Sequence, residues 1–192
     1  MNLKRGTFYI IFLFLLVSFS LFGQTNSPNS DFEFGDLSGW SASNGVWDKV
    51  NHTLIFTNNT IITNRESIIS DIYNDRNTCY ELPSIPADGG KFVAKLGNNI
   101  KGAQAEQLRY SITVTPENAL FIYKYAVVFE DPGHLDEEQP FFQVAVTNAN
   151  GDIFDSLCGY NKIISGGTIP GFKTCVVHDD INNTKDTIVR WK

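Results

Sequence analysis

Between Phe129 and Phe142 the chain reads FEDPGHLDEEQPFF, which places Glu130, Asp131, His134, Asp136, Glu137 and Glu138 within one short stretch. Carboxylates around a histidine are the raw material of a metal site or of acid/base catalysis. The same composition also solvates a turn between strands. Pro132, Gly133 and Pro140 exclude a helix across the segment, because proline lacks the amide donor and disfavours helical backbone before it. His134 and Glu138 therefore cannot share a helical face at i and i+4 as a helical metal motif requires. If Glu137 and Glu138 are extended they point to opposite sides and form no catalytic carboxylate pair. The stretch reads as an inter-strand loop in which His134 and Glu138 are the candidates to touch a ligand, since function concentrates on loops held by rigid sheets.

Other catalytic arrangements are missing. No G-x-S-x-G elbow or Ser/His/Asp order occurs, and His52, His134 and His178 have no cysteine or serine at a telling spacing. The glycine-rich SGGTIPG lacks the lysine of a phosphate loop. A non-enzyme is expected.

The elements that would hold such a loop are strands. Leu108, Tyr110, Ile112 and Val114 alternate with polar residues, as do Phe92, Ala94 and Leu96, and Phe142, Val144 and Val146, the period of strands with one buried face. Leu120 to Phe129 is apolar on nearly both faces and predicts a central, doubly covered strand. Asn150-Gly151 between two runs predicts a hairpin with a type I′ turn. Further strands are expected around 45–50, 53–56, 60–70, 172–178 and from Thr187. For Asn64 to Asp75 a helix is the alternative, although the segment is β-branched and bounded by Asn and Asp. Many short strands with turn signals between them predict an all-β antiparallel sandwich.

Lys4, Arg5 and the apolar run Phe8 to Phe22 have the form of a secretory signal peptide over residues 1–23, cleaved after Gly23 or, alternatively, Ser20. The run is too short to span a bilayer comfortably, so no membrane span is expected after cleavage and the product is secreted or at the outer cell surface. Without Lys4 and Arg5 the remaining chain carries 13 Lys+Arg against 21 Asp+Glu, a charge of -8. Its basic residues are scattered singly, which argues against nucleic acid as a partner. In an exported chain disulfides persist. Cys158 and Cys175 flank a glycine-rich excursion and are the expected pair, with Cys79 left over. The ending DTIVRWK breaks off within an alternation, so residues 24–192 are expected to continue into closing strands and further domains.

The stretch NSDFEFGDLSGWSA, with Asn29, Phe32, Glu33, Gly35 and Trp40, resembles the first strand and turn of jelly-roll carbohydrate-binding modules attached to bacterial xylanases and glucanases. Most of residues 29–192, through KLGN, GAQAE, ITVTPENALFIYKYAVVFEDPGH, EQP and CGY, is similar to the N-terminal module of large secreted Bacteroidetes surface proteins of the gliding-motility or PKD-domain type, exported by type IX secretion. The resemblance implies a jelly-roll or galactose-binding-like fold and a non-catalytic, adhesin-like surface role toward a glycan or surface protein. The alternatives are a carbohydrate-binding module that targets a hydrolase, and a structural spacer. The sugar-binding jelly rolls further imply a structural Ca²⁺ in which Glu33 takes part. Sugar rings stack on exposed aromatic faces, which makes Trp40, Trp47, Tyr123, Tyr125 and Tyr160 candidates, with Tyr123 and Tyr125 sharing one face.

Overall fold

The computed structural model describes residues 28–100, 102–177 and 186–192. The proposed signal segment 1–23, His178 and the sequon at Asn182 lie outside them. Residues 29–110 and 122–192 form one compact unit, and residues 111–121 fall outside it.

This unit is all-β and antiparallel, of the sandwich class. Its first sheet places strand β1 (Trp40–Asp48) between β2 (Thr53–Asn58) and β5 (Gln104–Tyr110). Strand β3 (Glu66–Ile69) pairs with β4 (Val93–Leu96), and β7 (Phe141–Ala145) with β8 (Tyr160–Ile164). A second three-stranded sheet places β10 (Thr187–Trp191) between β6 (Val128–Asp131) and β9 (Lys173–Val177). The strands are short because turn-forming residues interrupt each apolar run. Asp48, for example, ends β1 by accepting the amides of Val50 and Asn51 on one carboxylate oxygen, at 2.8 and 3.3 Å.

Several expectations are corrected. The run from Leu120 is not a covered central strand: Leu120 is 81% and Ile122 73% exposed, and only Val127 and Phe129 at its end are buried. Its alternating residues enter a sheet only from Val128, where β6 pairs with β10. The run through Val114 leaves its strand at Tyr110, because its partner β1 begins at Trp40, which Tyr110 faces. The strand expected within 60–70 is there as β3, where β-branched Ile68 and Ile69 oppose Ala94 and Val93, and the alternative helix is not formed. At the Asn-Gly pair the Gly151 amide donates to the Asn148 carbonyl at 3.0 Å and only Gly151 has positive φ, at 91°. The pair is therefore not the expected type I′ turn, which needs positive φ at both central residues. β10 is hydrogen-bonded on both sides, to β6 and to β9.

The expected Cys158–Cys175 bridge is also overturned. Cys175, buried in β9, is joined to Cys79, with Cα atoms 5.7 Å apart across 96 residues of sequence, and Cys158 is free and exposed. Cys79 reaches β9 because it follows a single 3-10 turn, Arg76–Thr78, and takes a left-handed conformation at φ 55°. The turn is capped by Asp75, whose carboxylate accepts the Asn77 amide at 2.7 Å, and is held by fully buried Thr78, whose hydroxyl accepts the Leu82 amide at 3.0 Å. Cys158 instead follows Asp155, which accepts the amides of Leu157 and Cys158 and turns this segment outward to solvent.

Peptide mapping under non-reducing conditions should therefore recover a Cys79–Cys175 cross-linked peptide and alkylate Cys158 alone. A loop of this length should contribute about 2–5 kcal/mol. Cys79→Ser should lower stability by that amount in denaturant unfolding, whereas Cys158→Ser should leave it unchanged.

Candidate functional site

The acidic stretch is held from its ends. Asp131, in β6, lies 3.2 Å from the Arg190 guanidinium of β10, both largely buried, and its other oxygen accepts the Gly133 amide and the Gln139 side-chain amide. Buried Gln139 also donates to the His134 carbonyl at 3.0 Å. Between these anchors Asp136–Glu138 forms one 3-10 turn, closed by the Glu138 amide on the Leu135 carbonyl at 2.8 Å. A single turn of this kind satisfies both prolines, which forbid only a longer helix. His134 is exposed, Glu138 faces Lys49 at 3.9 Å, and no hydrogen bond or ion pair joins His134 to Glu138. Among the described residues no three His, Cys, Asp or Glu side chains gather in a metal-holding group.

The opening NSDFEFGDLSGW folds as a knot around Asn29. This buried residue donates to the carbonyls of Asp36 and Ser38 at 3.0 and 2.8 Å, accepts the Phe34 amide at 3.0 Å, and offers its own carbonyl to the Trp40 indole at 2.9 Å. Hydrogen bonds from the Ser38 hydroxyl and amide hold the Asp36 carboxyl below the usual carboxylate range. Trp40 stacks on Phe32 with centroids 4.6 Å apart and meets Tyr110 at 4.8 Å. Its ring thus has aromatic neighbours of its own and anchors the start of β1.

Glu33 reaches across to the chain before β4. One of its oxygens accepts the amides of Lys91 and Phe92, at 2.8 and 3.3 Å. Those N–H groups point the positive ends of their dipoles at the carboxylate, a donor set that suits an anion and not a cation. Glu33, the expected Ca²⁺ ligand, has one oxygen spent on these amides, and among the described residues no group of three His, Cys, Asp or Glu gathers around it. It is a latch, and it depends on the bare backbone of Gly90, where a Cβ would sit 1.7 Å from the Glu33 oxygen.

Tyr123 and Tyr125 do come together. Their rings stack at 5.9 Å, and Tyr125 stacks in turn on Phe142 of β7 at 4.8 Å. The two tyrosines are 44% and 43% exposed, and Asn161 of β8 donates its amide to the Tyr125 hydroxyl at 3.2 Å. The opposite face of the β7–β8 ribbon behaves differently. Phe141 there lies edge-on to Trp47 at 6.4 Å, beneath Lys162, and Tyr160 donates to Gln143 at 3.3 Å. Trp47 is therefore packed, whereas Tyr123, Tyr125 and Phe142 form an aromatic row open to solvent.

A cleft of about 830 Å³ lies on the β1–β5 face and is lined by Trp40, Ser41, Ser43, Asn59, Gln107 and Arg109 among others. Sequence reasoning passed over all of these but Trp40. The signal was present in the alternation of β5, where Arg109 and Gln107 mark the outward face. Only pairing with β1 places Ser41 and Ser43 opposite them.

No family model matches this chain, and no curated protein or solved structure matches it either.

Two outcomes follow. Gly90→Ala should lower stability by about 1–3 kcal/mol through overpacking against Glu33, while EDTA or added Ca²⁺ should leave the melting temperature unchanged. Because the Asp36 carboxyl is depressed in the folded state, its stabilisation is present above its unfolded value near 3.8 and fades as pH falls through the lower folded value. Asp36→Asn should flatten the stability profile in that acid window, read by melting temperature against pH.

Proposed function

We propose that this chain is a non-catalytic recognition module of an exported, adhesin-like surface protein, and that the Tyr123–Tyr125–Phe142 row is its glycan-binding platform. The observation that carries this reading is the row itself: three rings stacked at 5.9 and 4.8 Å, the tyrosines nearly half exposed, with a side-chain amide beside them. Exposed aromatic rings held against one another lose little conformational freedom on binding, and their apolar edges with a hydroxyl and an amide nearby suit the C–H and O–H groups of a sugar. Export is supported by the signal-like residues 1–23 and by the Cys79–Cys175 bridge, since disulfides persist in oxidising compartments. The resemblance to Bacteroidetes surface modules, including their jelly-roll character and covalent continuation into further domains, supports the same role. A non-catalytic role is supported by the use of the acidic stretch: Asp131 is taken up by Arg190, Gln139 pins the backbone, and Glu138 faces Lys49.

The test is retention on immobilised polysaccharides and a glycan array. The protein should bind, and Tyr123→Ala with Tyr125→Ala should weaken binding by about tenfold or more, equivalent to ~1.4 kcal/mol, at unchanged melting temperature. Binding that survives the double substitution, or no retention on any glycan, would remove the platform.

A further inference from the structure

The cleft on the β1–β5 face has a chemistry of its own. Ser41 opposes Arg109 and Ser43 opposes Gln107 across the antiparallel pair, so the four side chains project from one face, directly paired ones ~5 Å apart at Cβ. Asn59, just beyond β2, borders the same cleft and accepts the Ser43 hydroxyl at 3.0 Å. The Ser41 hydroxyl, the Asn59 amide nitrogen, the Gln107 amide and the Arg109 guanidinium have no partner among the described residues. No carboxylate lines the cleft.

Arg109 is the one charged residue in the lining, and it shares its unpaired state with exposed Arg76, which lies outside the cleft. Arg65 and Arg190 are each spent on a carboxylate, Glu106 at 2.6 Å and Asp131 at 3.2 Å. Arg109 stands exposed and unpaired in a chain where 21 acidic residues outnumber 15 basic ones. A guanidinium presents a planar fork of donors that matches a carboxylate in a bidentate manner.

One cation among neutral hydroxyl and amide groups calls for a ligand with one acid group and several hydroxyls per unit. A nucleic acid or polyphosphate needs several cations, and an extended peptide adds to a strand edge, whereas this cleft lies on a sheet face. Its volume is within the range of small-ligand sites. We propose that the cleft binds a carboxylated saccharide, with a hexuronate carboxylate in the Arg109 fork and its hydroxyls on Ser41, Asn59 and Gln107.

The experiment is calorimetric titration of the intact chain with oligomers of galacturonate, glucuronate and mannuronate, with neutral oligomers of equal length, and with a sulfated oligosaccharide. At least one uronate should bind at least tenfold tighter than its neutral counterpart, and the affinity should fall as salt rises. Arg109→Gln should weaken it tenfold or more, and Arg109→Lys should restore it only in part, because an ammonium lacks the fork. Both variants should melt with the wild type, since Arg109 holds nothing in the fold. Tyr123→Ala with Tyr125→Ala should leave this titration unchanged, which separates the cleft from the aromatic row. Equal affinity for neutral and uronate oligomers, no uronate binding, or indifference to Arg109→Gln would overturn the assignment. Preference for the sulfated sugar would overturn the carboxylate.

Discussion

The Cys79–Cys175 bond is the constraint on which the arrangement of strands depends. The two three-stranded sheets share no strand and exchange no ladder hydrogen bonds. The bridge joins the turn at Arg76–Thr78 to β9, and hence to β10 beside it, across 96 residues of chain. Few of the side chains around it are deeply buried: the core includes Leu37, Ala42, Ile85, Val127, Phe129, Val189 and Trp191 with Cys175. With so small a core, a covalent closure of a long loop, which removes freedom from the unfolded chain, supplies a share of stability that apolar burial alone does not. The Lys173–Glu81 ion pair at 2.6 Å spans the same two segments, but both partners are more than half exposed, and such pairs are worth little.

Within the first sheet, β1 divides two chemistries. On one face Asn44 donates to buried Glu66 at 3.2 Å, and opposite it Glu106 receives Arg65, whose guanidinium also donates to the carbonyls of Gly45 and Ala105 at 3.0 and 2.9 Å. Those polar groups are buried and spent on joining β3 to the sheet. On the other face lie Ser41, Ser43, Gln107 and Arg109, of which only Ser43 has a partner. Period-2 alternation along two strands is thus enough to put a structural arginine and an unpaired one on opposite sides of a single sheet.

The class of the fold was legible from that alternation, and the strand positions near Thr53, Phe92, Phe142, Phe172 and Thr187 followed from it. Burial was not, because period 2 reports that a segment has two faces and says nothing of what covers them. Leu120 to Tyr125 is as apolar as any strand in the chain and yet exposed, since no strand pairs with it. The cysteine pairing failed for a related reason. Proximity in sequence favoured Cys158, but loop closure grows costly only slowly with length, so a partner 96 residues away competes once a turn aims it. Tyr123 and Tyr125 were legible because residues two apart on extended chain share a side, a rule that needs no knowledge of the tertiary fold. Arg109 was not, because an arginine is informative only when its neighbours are known to leave it unpaired.

That distinction separates the acidic stretch from the cleft. The density of charge around His134 drew notice, but charges in a folded chain satisfy one another: Asp131 meets Arg190, Glu138 faces Lys49, and Gln139 ties the backbone between them. A group already paired must surrender that partner before it can bind anything else, and the lost interaction offsets the new one. An unpaired guanidinium has no such partner to give up, so a ligand meets only the cost of ordering the side chain. The fold has left such unspent polar groups on the β1–β5 face.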